Sequence, residues 1–158
     1  MRTNRILVPL DGSELAEAAL ADAFDLAAGA GTVLLVRATE AHVLPGRDPI
    51  QPQIDAVAEA EGYMAGLKAK LERRNVRNVE THVWYGSPAA SIIDAAGAHK
   101  ADLIVMSTHG RSGIGRLVFG SVAESVLRGT TVPILLRRPP EAPVALPTVT
   151  TQPREMVR

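Results

Sequence analysis

Short runs of apolar residues alternate along the chain with longer segments that carry apolar residues at helical spacing. The short runs predict five β-strands, at residues 5–10, 32–36, 79–84, 103–106 and 132–137. The first, second and fourth are almost continuously apolar, which is typical of strands buried on both faces of a parallel sheet. In the third run, apolar and polar residues alternate, which predicts a half-exposed strand at a sheet edge.

The segments between the strands predict four helices, at residues 14–28, 54–73, 88–99 and 121–128. Ser13 and Ser87 stand at the N-cap positions of the first and third helices, and Pro88 follows at the first helical position. Residues 38–53 contain three prolines and predict a loop. In the second helix, the residues predicted to face inward are Ile54, Val57, Met64, Leu67 and Leu71.

The regular alternation of strand and helix predicts an α/β fold, with a single-domain, open, doubly wound parallel sheet and helices on both faces. This domain is expected to span residues 1–138. Residues 139–158 are rich in proline and have no core pattern, which predicts a disordered tail. Ligands of such folds bind at the carboxyl ends of the strands, where the winding reverses.

Composition excludes several classes of function. The 158 residues include 17 Lys+Arg and 17 Asp+Glu, so the balanced charge predicts neither a nucleic-acid partner nor an anionic membrane partner. Without cysteine there is no disulfide, thiol nucleophile or thiolate metal site. His42, His82 and His99 are scattered and show no metal-ligand spacing. With no membrane-length apolar run, the expectation is a soluble cytoplasmic protein.

The chemistry concentrates in the segment that follows the fourth strand. A glycine-rich loop begins at Ser107 and leads to Gly120-Ser121, where the S-x-x-E pattern of Ser121 to Glu124 predicts a helix that starts with a capping box. A glycine-rich loop at a helix N-terminus is a natural anion site, so we expect it to hold the phosphates of a nucleotide. The chain has no Gly-Lys pair, which excludes a Walker loop, and the glycine spacing differs from that of a dinucleotide fingerprint.

The glycine-rich loop has a recognisable spacing: Gly110, nine further residues and then Gly120-Ser121. In this spacing the sequence resembles the universal stress protein family. Its nucleotide-binding members carry G-x2-G-x9-G-[ST], and Ser107 stands here where the first glycine is expected. The resemblance covers about residues 3–138 and implies strand order 3-2-1-4-5. Strands one and four then become central neighbours, with Asp11 facing the turn after the fourth strand.

The resemblance implies that the chain binds ATP, with Mg²⁺ on the phosphates. The carboxylate of Asp11 is expected to contact the ribose, base or metal, or else to form an Asx turn. Arg37 is a weaker candidate, and His109 lacks the partners of a catalytic base, so no catalytic residue is predicted. The candidate nucleotide-binding residues are Pro9, Asp11, Arg37, Met106, Ser107, His109, Gly110, Arg111, Gly113, Arg116, Gly120, Ser121 and Val122.

The last strand predicts self-association. Val132–Leu136 is apolar, no later strand follows to cover it, and Pro133 lacks the N–H of a fully paired strand. A homodimer that pairs this strand with its copy would cover the edge, as the family resemblance also implies.

Three functions follow from these observations. The first is an ATP-binding universal stress protein that acts in a cytoplasmic stress response. The second is a slow ATP hydrolase or phosphotransferase, although no Walker lysine or catalytic base supports it. The third is a dimeric interaction module that binds no nucleotide, and Ser107 in place of the motif glycine is the feature that keeps it open.

Overall fold

Strands and helices alternate along the chain as the sequence predicts. A computed structural model describes residues 4–27, 30–41, 46, 48–108 and 120–138. The elements of this part are β1 (Arg5–Leu10), α1 (Glu14–Glu17), α2 (Ala19–Ala27), β2 (Thr32–Thr39), α3 (Ile50–Glu72), β3 (Val79–Tyr85), α4 (Pro88–Ala98), β4 (Leu103–Ser107), α5 (Ser121–Gly129) and β5 (Ile134–Arg137). The predicted tail, residues 139–158, lies outside the described residues.

The five strands form one parallel sheet in the order β3-β2-β1-β4-β5, which confirms the predicted topology. β1 pairs with β2 from Arg5 opposite Thr32 to Leu10 opposite Arg37. On its other side, β1 pairs with β4. The chain therefore winds outward in opposite directions from β1 and β4, and the carboxyl ends of these two strands border the point of reversal.

Side chains on the two faces of the sheet build two separate cores. Ile6 and Val8 of β1 lie on one face, in a cluster that includes buried residues of α2 and α3. Leu7 lies on the opposite face, with buried residues of α4 and α5. Ile6, Leu7 and Val8 are all fully buried, because the central strand is covered on both sides. The prediction of helices on both faces is thus confirmed.

The second predicted helix begins earlier than the sequence suggests, and its first turns are exposed. β2 continues to Thr39 and α3 starts at Ile50, so the predicted loop at residues 38–53 is shorter. Ile54 is 55% exposed, so the prediction that it faces inward is wrong, whereas Met64, Leu67 and Leu71 are buried as predicted. A helix of 23 residues is about 35 Å long, and an eight-residue strand spans only about 26 Å, so the helix outruns the sheet.

Helix starts agree with the sequence in two cases and differ in a third. The Ser13 hydroxyl accepts a hydrogen bond from the Ala16 N–H (3.1 Å), as an N-cap residue should. Ser87 occupies the N-cap of α4 with Pro88 after it, although its side chain makes no capping bond. The N-cap of α5 is Gly120, and Ser121 is already helical, so the predicted capping box is wrong.

No helix in the described ranges combines the length and the hydropathy needed to cross a bilayer.

Candidate functional site

A cavity of about 330 Å³ opens at the carboxyl ends of β1 and β4, where the winding of the sheet reverses. The turn after β1, the start of α1, the end of β4 and the start of α5 form its walls. Seven of the thirteen predicted nucleotide-binding residues line this cavity: Pro9, Asp11, Met106, Ser107, Gly120, Ser121 and Val122. Residues from both halves of the sequence therefore share one crevice, at the position that the fold class predicts for a ligand.

The N-terminus of α5 gives one wall an anion-binding character. The first hydrogen bond of the helix runs from the Glu124 N–H to the Gly120 carbonyl (3.0 Å). The N–H groups of Ser121, Val122 and Ala123 precede this ladder and have no acceptor within the helix, and all three residues line the cavity. Together with the positive end of the helix dipole, these donors favour a negatively charged ligand group.

Ser107, the residue that departs from the family motif, has a buried hydroxyl group that lacks a hydrogen bond within the described residues. Buried hydroxyl groups in proteins are nearly always hydrogen-bonded. Because Ser107 also lines the cavity, a polar atom of a ligand is a suitable partner for this hydroxyl.

Nothing in the packing of the described residues requires glycine at position 120. Its φ of −39° is open to any residue, and a Cβ added there would meet no atom within 4 Å among the described residues. Gly120 nevertheless lines the cavity. A side chain at this position would therefore be tolerated by the fold, while it would take space next to the α5 amides.

The turn after β1 is a tightly fixed Asx turn. The Asp11 Oδ1 accepts hydrogen bonds from the Ser13 N–H (2.9 Å) and the Ser13 hydroxyl (2.6 Å). Between them, Gly12 has a φ of +87°, and a Cβ there would come within 2.7 Å of the Arg37 Nη1. The Asx-turn interpretation of Asp11 is therefore correct, and Asp11 also lines the cavity with an exposed side chain.

Arg37 lies behind this turn and outside the cavity lining. Its Nη2 donates to both carboxylate oxygens of Glu59, each at 3.1 Å, and its guanidinium carbon lies 4.9 Å from the ring centroid of Tyr63. The Tyr63 hydroxyl donates to the Glu17 carboxylate (3.0 Å). Burial, and to a smaller extent this hydrogen bond, raises the pKa of Tyr63. Arg37 and Tyr63 thus hold the β1 turn and α1 against α3, and Tyr63 stays protonated.

Several apolar residues complete the cavity, and sequence reasoning missed them. They are Leu15, Val36, Ala38, Pro88 and Ile92. Val36 and Ala38 lie near the carboxyl end of β2, and Pro88 begins α4. These positions, at the edge of the sheet where the strands end, were the one sequence signal that could have identified them as cavity residues. Apolar side chains carry no chemical signature of their own, and the motif drew attention only to β1, β4 and α5.

Five of the predicted residues fall outside the described residues: His109, Gly110, Arg111, Gly113 and Arg116. Their contacts with a nucleotide stay predictions.

Comparison with known proteins identifies the family. The model of the universal stress protein family matches residues 2–138. A putative universal stress protein of Staphylococcus aureus is 34% identical over 95% of this chain and 94% of its own length. A universal stress protein of Methanocaldococcus jannaschii is 32% identical over 87% of this chain and 83% of its own length. A relative from Mycobacterium tuberculosis is 33% identical, and the match spans 45% of its length.

Solved structures share the fold. A universal stress family protein from Burkholderia pseudomallei is 31% identical with a TM-score of 0.68, over 86% of this chain and 96% of that one. A universal stress protein solved with cAMP is 22% identical with a TM-score of 0.67, over 87% and 98% of the two chains. One from Arabidopsis thaliana with AMP bound is 14% identical with a TM-score of 0.61, over 85% and 91%.

The parallel sheet of order 3-2-1-4-5, the crevice at its point of reversal and the sequence match over nearly the whole domain agree with one another. This chain belongs to the universal stress protein family.

Proposed function

We propose that this protein binds ATP in the cavity between β1, β4 and α5, and that it acts in a cytoplasmic stress response. One observation carries the proposal: the N–H groups at the start of α5 line the same cavity as the buried Ser107 hydroxyl, which has no hydrogen-bond partner among the described residues. Both features suit an acceptor-rich, anionic ligand group, and a phosphate is such a group.

The rest of the lining suits the other parts of an adenine nucleotide. Val36, Ala38, Pro88 and Ile92 offer an apolar surface for a purine ring, and Asp11, which also lines the cavity, offers an acceptor for ribose hydroxyls. A pocket of a few hundred Å³ with an apolar wall and a few convergent polar groups is typical of small-ligand sites. Family members of the same fold have been solved with cAMP and with AMP, which supports an adenine nucleotide as the ligand class.

Mg²⁺ would enter with the phosphates. Asp11 supplies the one carboxylate among the described residues that line the cavity. Mg²⁺ is commonly held by one or two carboxylates together with the substrate phosphates and water, so holding the ion is the alternative to the ribose role for Asp11, and the Asp11 variants described in the Discussion distinguish the two. When bound, the ion would supply positive charge that offsets the charge of the phosphates.

The experiment that tests this function needs no added ligand. Protein purified under native conditions is denatured, and the small molecules released are identified by mass spectrometry. We expect ATP at a substantial fraction of one molecule per chain. ADP alone would favour the slow hydrolase. If neither a purified sample nor one preincubated with ATP and desalted releases nucleotide, the interaction module without a ligand is the better account.

A further inference from the structure

Three side chains with metal-binding chemistry meet on the edge strand β3, away from the nucleotide cavity. Glu80 and His82 are two residues apart on β3, so they point to the same face of the sheet. His99 is the C-cap residue of α4, the helix that packs on that face. One ligand atom from each of the three lies within 4.8 Å of the other two, and none of the three residues lines the cavity.

The spacing of the ligand atoms suits a tetrahedral ion. The Glu80 Oε2 and the His82 Nε2 are 3.5 Å apart. Two ligands bound at about 2.0–2.2 Å from a tetrahedral Zn²⁺ stand about 3.3–3.5 Å from each other, so this pair already has the required separation. The third ligand atom, on the His99 ring, lies within 4.8 Å of these two.

The His82 nitrogen also lacks the partner that a buried polar atom requires. Its Nε2 is buried and makes no hydrogen bond with the part of the chain that the structure describes. The Glu80 carboxylate that faces it is too distant for a good hydrogen bond. An ion between the two atoms would satisfy both at once.

Neighbouring rings hold the two imidazoles in place. The rings of His82 and His99 lie 3.9 Å apart between centroids, and Trp84 packs edge-on against His99 at 6.4 Å.

Charge around the cluster is mixed. The Arg5 Nη2 lies 3.1 Å from the Glu80 Oε2, and the Arg5 Nε donates to the His99 carbonyl (2.7 Å). The same Glu80 oxygen therefore faces both Arg5 and His82, and because a carboxylate oxygen has two lone pairs, Oε2 can keep the Arg5 hydrogen bond and still bind an ion. The C-terminal end of α4 adds the negative end of a helix dipole, which favours a cation there.

We propose that Glu80, His82 and His99 form a binding site for one divalent transition-metal ion, with Zn²⁺ as the best match to two imidazoles and one carboxylate. This donor set is typical of Zn²⁺ and disfavours Mg²⁺ and Ca²⁺, which take oxygen ligands. Three protein ligands leave a fourth position for water. The site would clamp the edge strand to the end of α4, independently of any nucleotide.

Calorimetric titration of the chelator-treated, nucleotide-free protein with ZnCl₂ tests this site. We expect one Zn²⁺ per chain, with binding weakened at least about tenfold in His82→Ala and in His99→Gln, since the loss of a residue that only orients a metal ligand already costs about 10–100-fold in metal affinity. His42→Ala removes a histidine elsewhere and should bind as the wild type does. A wild type without saturable one-to-one binding, or histidine variants that bind as tightly as the wild type, would overturn the proposal.

A second measurement on the wild type avoids any doubt about the folding of the variants. The imidazole NMR signals of all four histidines are followed as Zn²⁺ is added. We expect the signals of His82 and His99 to shift together and to saturate at one equivalent, while those of His42 and His109 stay in place. Shifts confined to His42 or His109 would contradict the site.

Discussion

A single oxygen of Asp11 accepts two hydrogen bonds from Ser13, and the same residue lines the cavity. Asp11 therefore shapes the turn and places a carboxylate at the cavity, and its role in the turn and its proposed role in ligand binding should respond differently to substitution. Asparagine keeps an oxygen at Oδ1 for the turn but lacks the charge, whereas alanine removes both.

We expect Asp11→Ala to weaken ATP binding by about 1–3 kcal/mol, because the ribose partners of the carboxylate lose their acceptor. Tripolyphosphate, which has neither ribose nor base, should lose much less affinity. Asp11→Asn is the control that retains the turn. Calorimetry with both ligands measures the difference, and equal losses for ATP and tripolyphosphate would place Asp11 at the phosphates or the metal instead.

Among the contacts of single residues, those between neighbours in sequence were predictable and those between distant residues were not. The Ser13 cap and the Asp11 turn follow from residue types within three positions of each other. The Arg37 contact with Glu59 joins residues 22 positions apart on different elements, and only the packing of α3 beside β2 brings them together. His82 and His99 likewise showed no ligand spacing, because one lies on β3 and the other at the end of α4.

Among the elements, α1 depends most on its cap. It has four residues, contains no buried residue and ends at Glu17, so the single predicted helix divides at Ala18 into α1 and α2. Such a short helix has little stability of its own, so the capping bond and the Asx turn fix its position. Leu15 and Ala16 of α1 line the cavity, which links this local stability to the shape of the site.

Ser13→Ala is expected to lower the free energy of unfolding by about 0.5–2 kcal/mol, the usual cost of a lost N-cap. Ser87→Ala is the matched control, because Ser87 occupies the N-cap of α4 without a capping hydrogen bond from its side chain. Urea unfolding followed by circular dichroism gives both values. Equal effects of the two substitutions would show that the Ser13 bond contributes nothing beyond helix propensity.

For the whole molecule, alternating strand and helix signals specify a parallel sheet, but not which strands are neighbours. The order 3-2-1-4-5 came from the family motif, and the structure confirms it. The extension of α3 beyond the sheet could not be predicted. Helix periodicity indicates which face of a helix is buried, but not how far along the helix the strands cover it. The cavity lies where five separate segments meet, so its apolar residues become recognisable only after folding.

The sheet has two edges, β3 and β5, and we propose that β5 pairs with its copy in a homodimer through Val132–Leu136. Leu135 is 40% exposed, whereas Ile134 and Leu136 pack against the core on the α4 and α5 face. A charge at Ile134 or Leu136 would therefore disturb the fold as well as the interface. A substitution at the exposed Leu135 can test the proposed interface without disturbing the core.

Leu135→Lys should convert a dimer into a monomer, because each copy would bring a charge next to its symmetry mate. Sedimentation equilibrium measures the mass, and retained ATP binding would show that the site lies within one chain. Leu26→Lys, at an equally exposed leucine on α2, is the control and should leave the mass unchanged. A wild type that sediments at the 16.7 kDa monomer mass throughout the micromolar range would contradict the dimer.

The most direct test of the nucleotide site is calorimetric titration of wild type and Gly120→Val with Mg-ATP. The φ of Gly120 and the absence of other described residues near its missing Cβ favour a tolerated side chain, so the variant should fold normally and lose ATP affinity by at least about tenfold, or 1.4 kcal/mol. Gly62→Ala, on the exposed side of α3 with equal space around it, should bind as the wild type does. A folded Gly120→Val protein with unchanged affinity, or a wild type that binds no Mg-ATP, would contradict a nucleotide site between β1, β4 and α5.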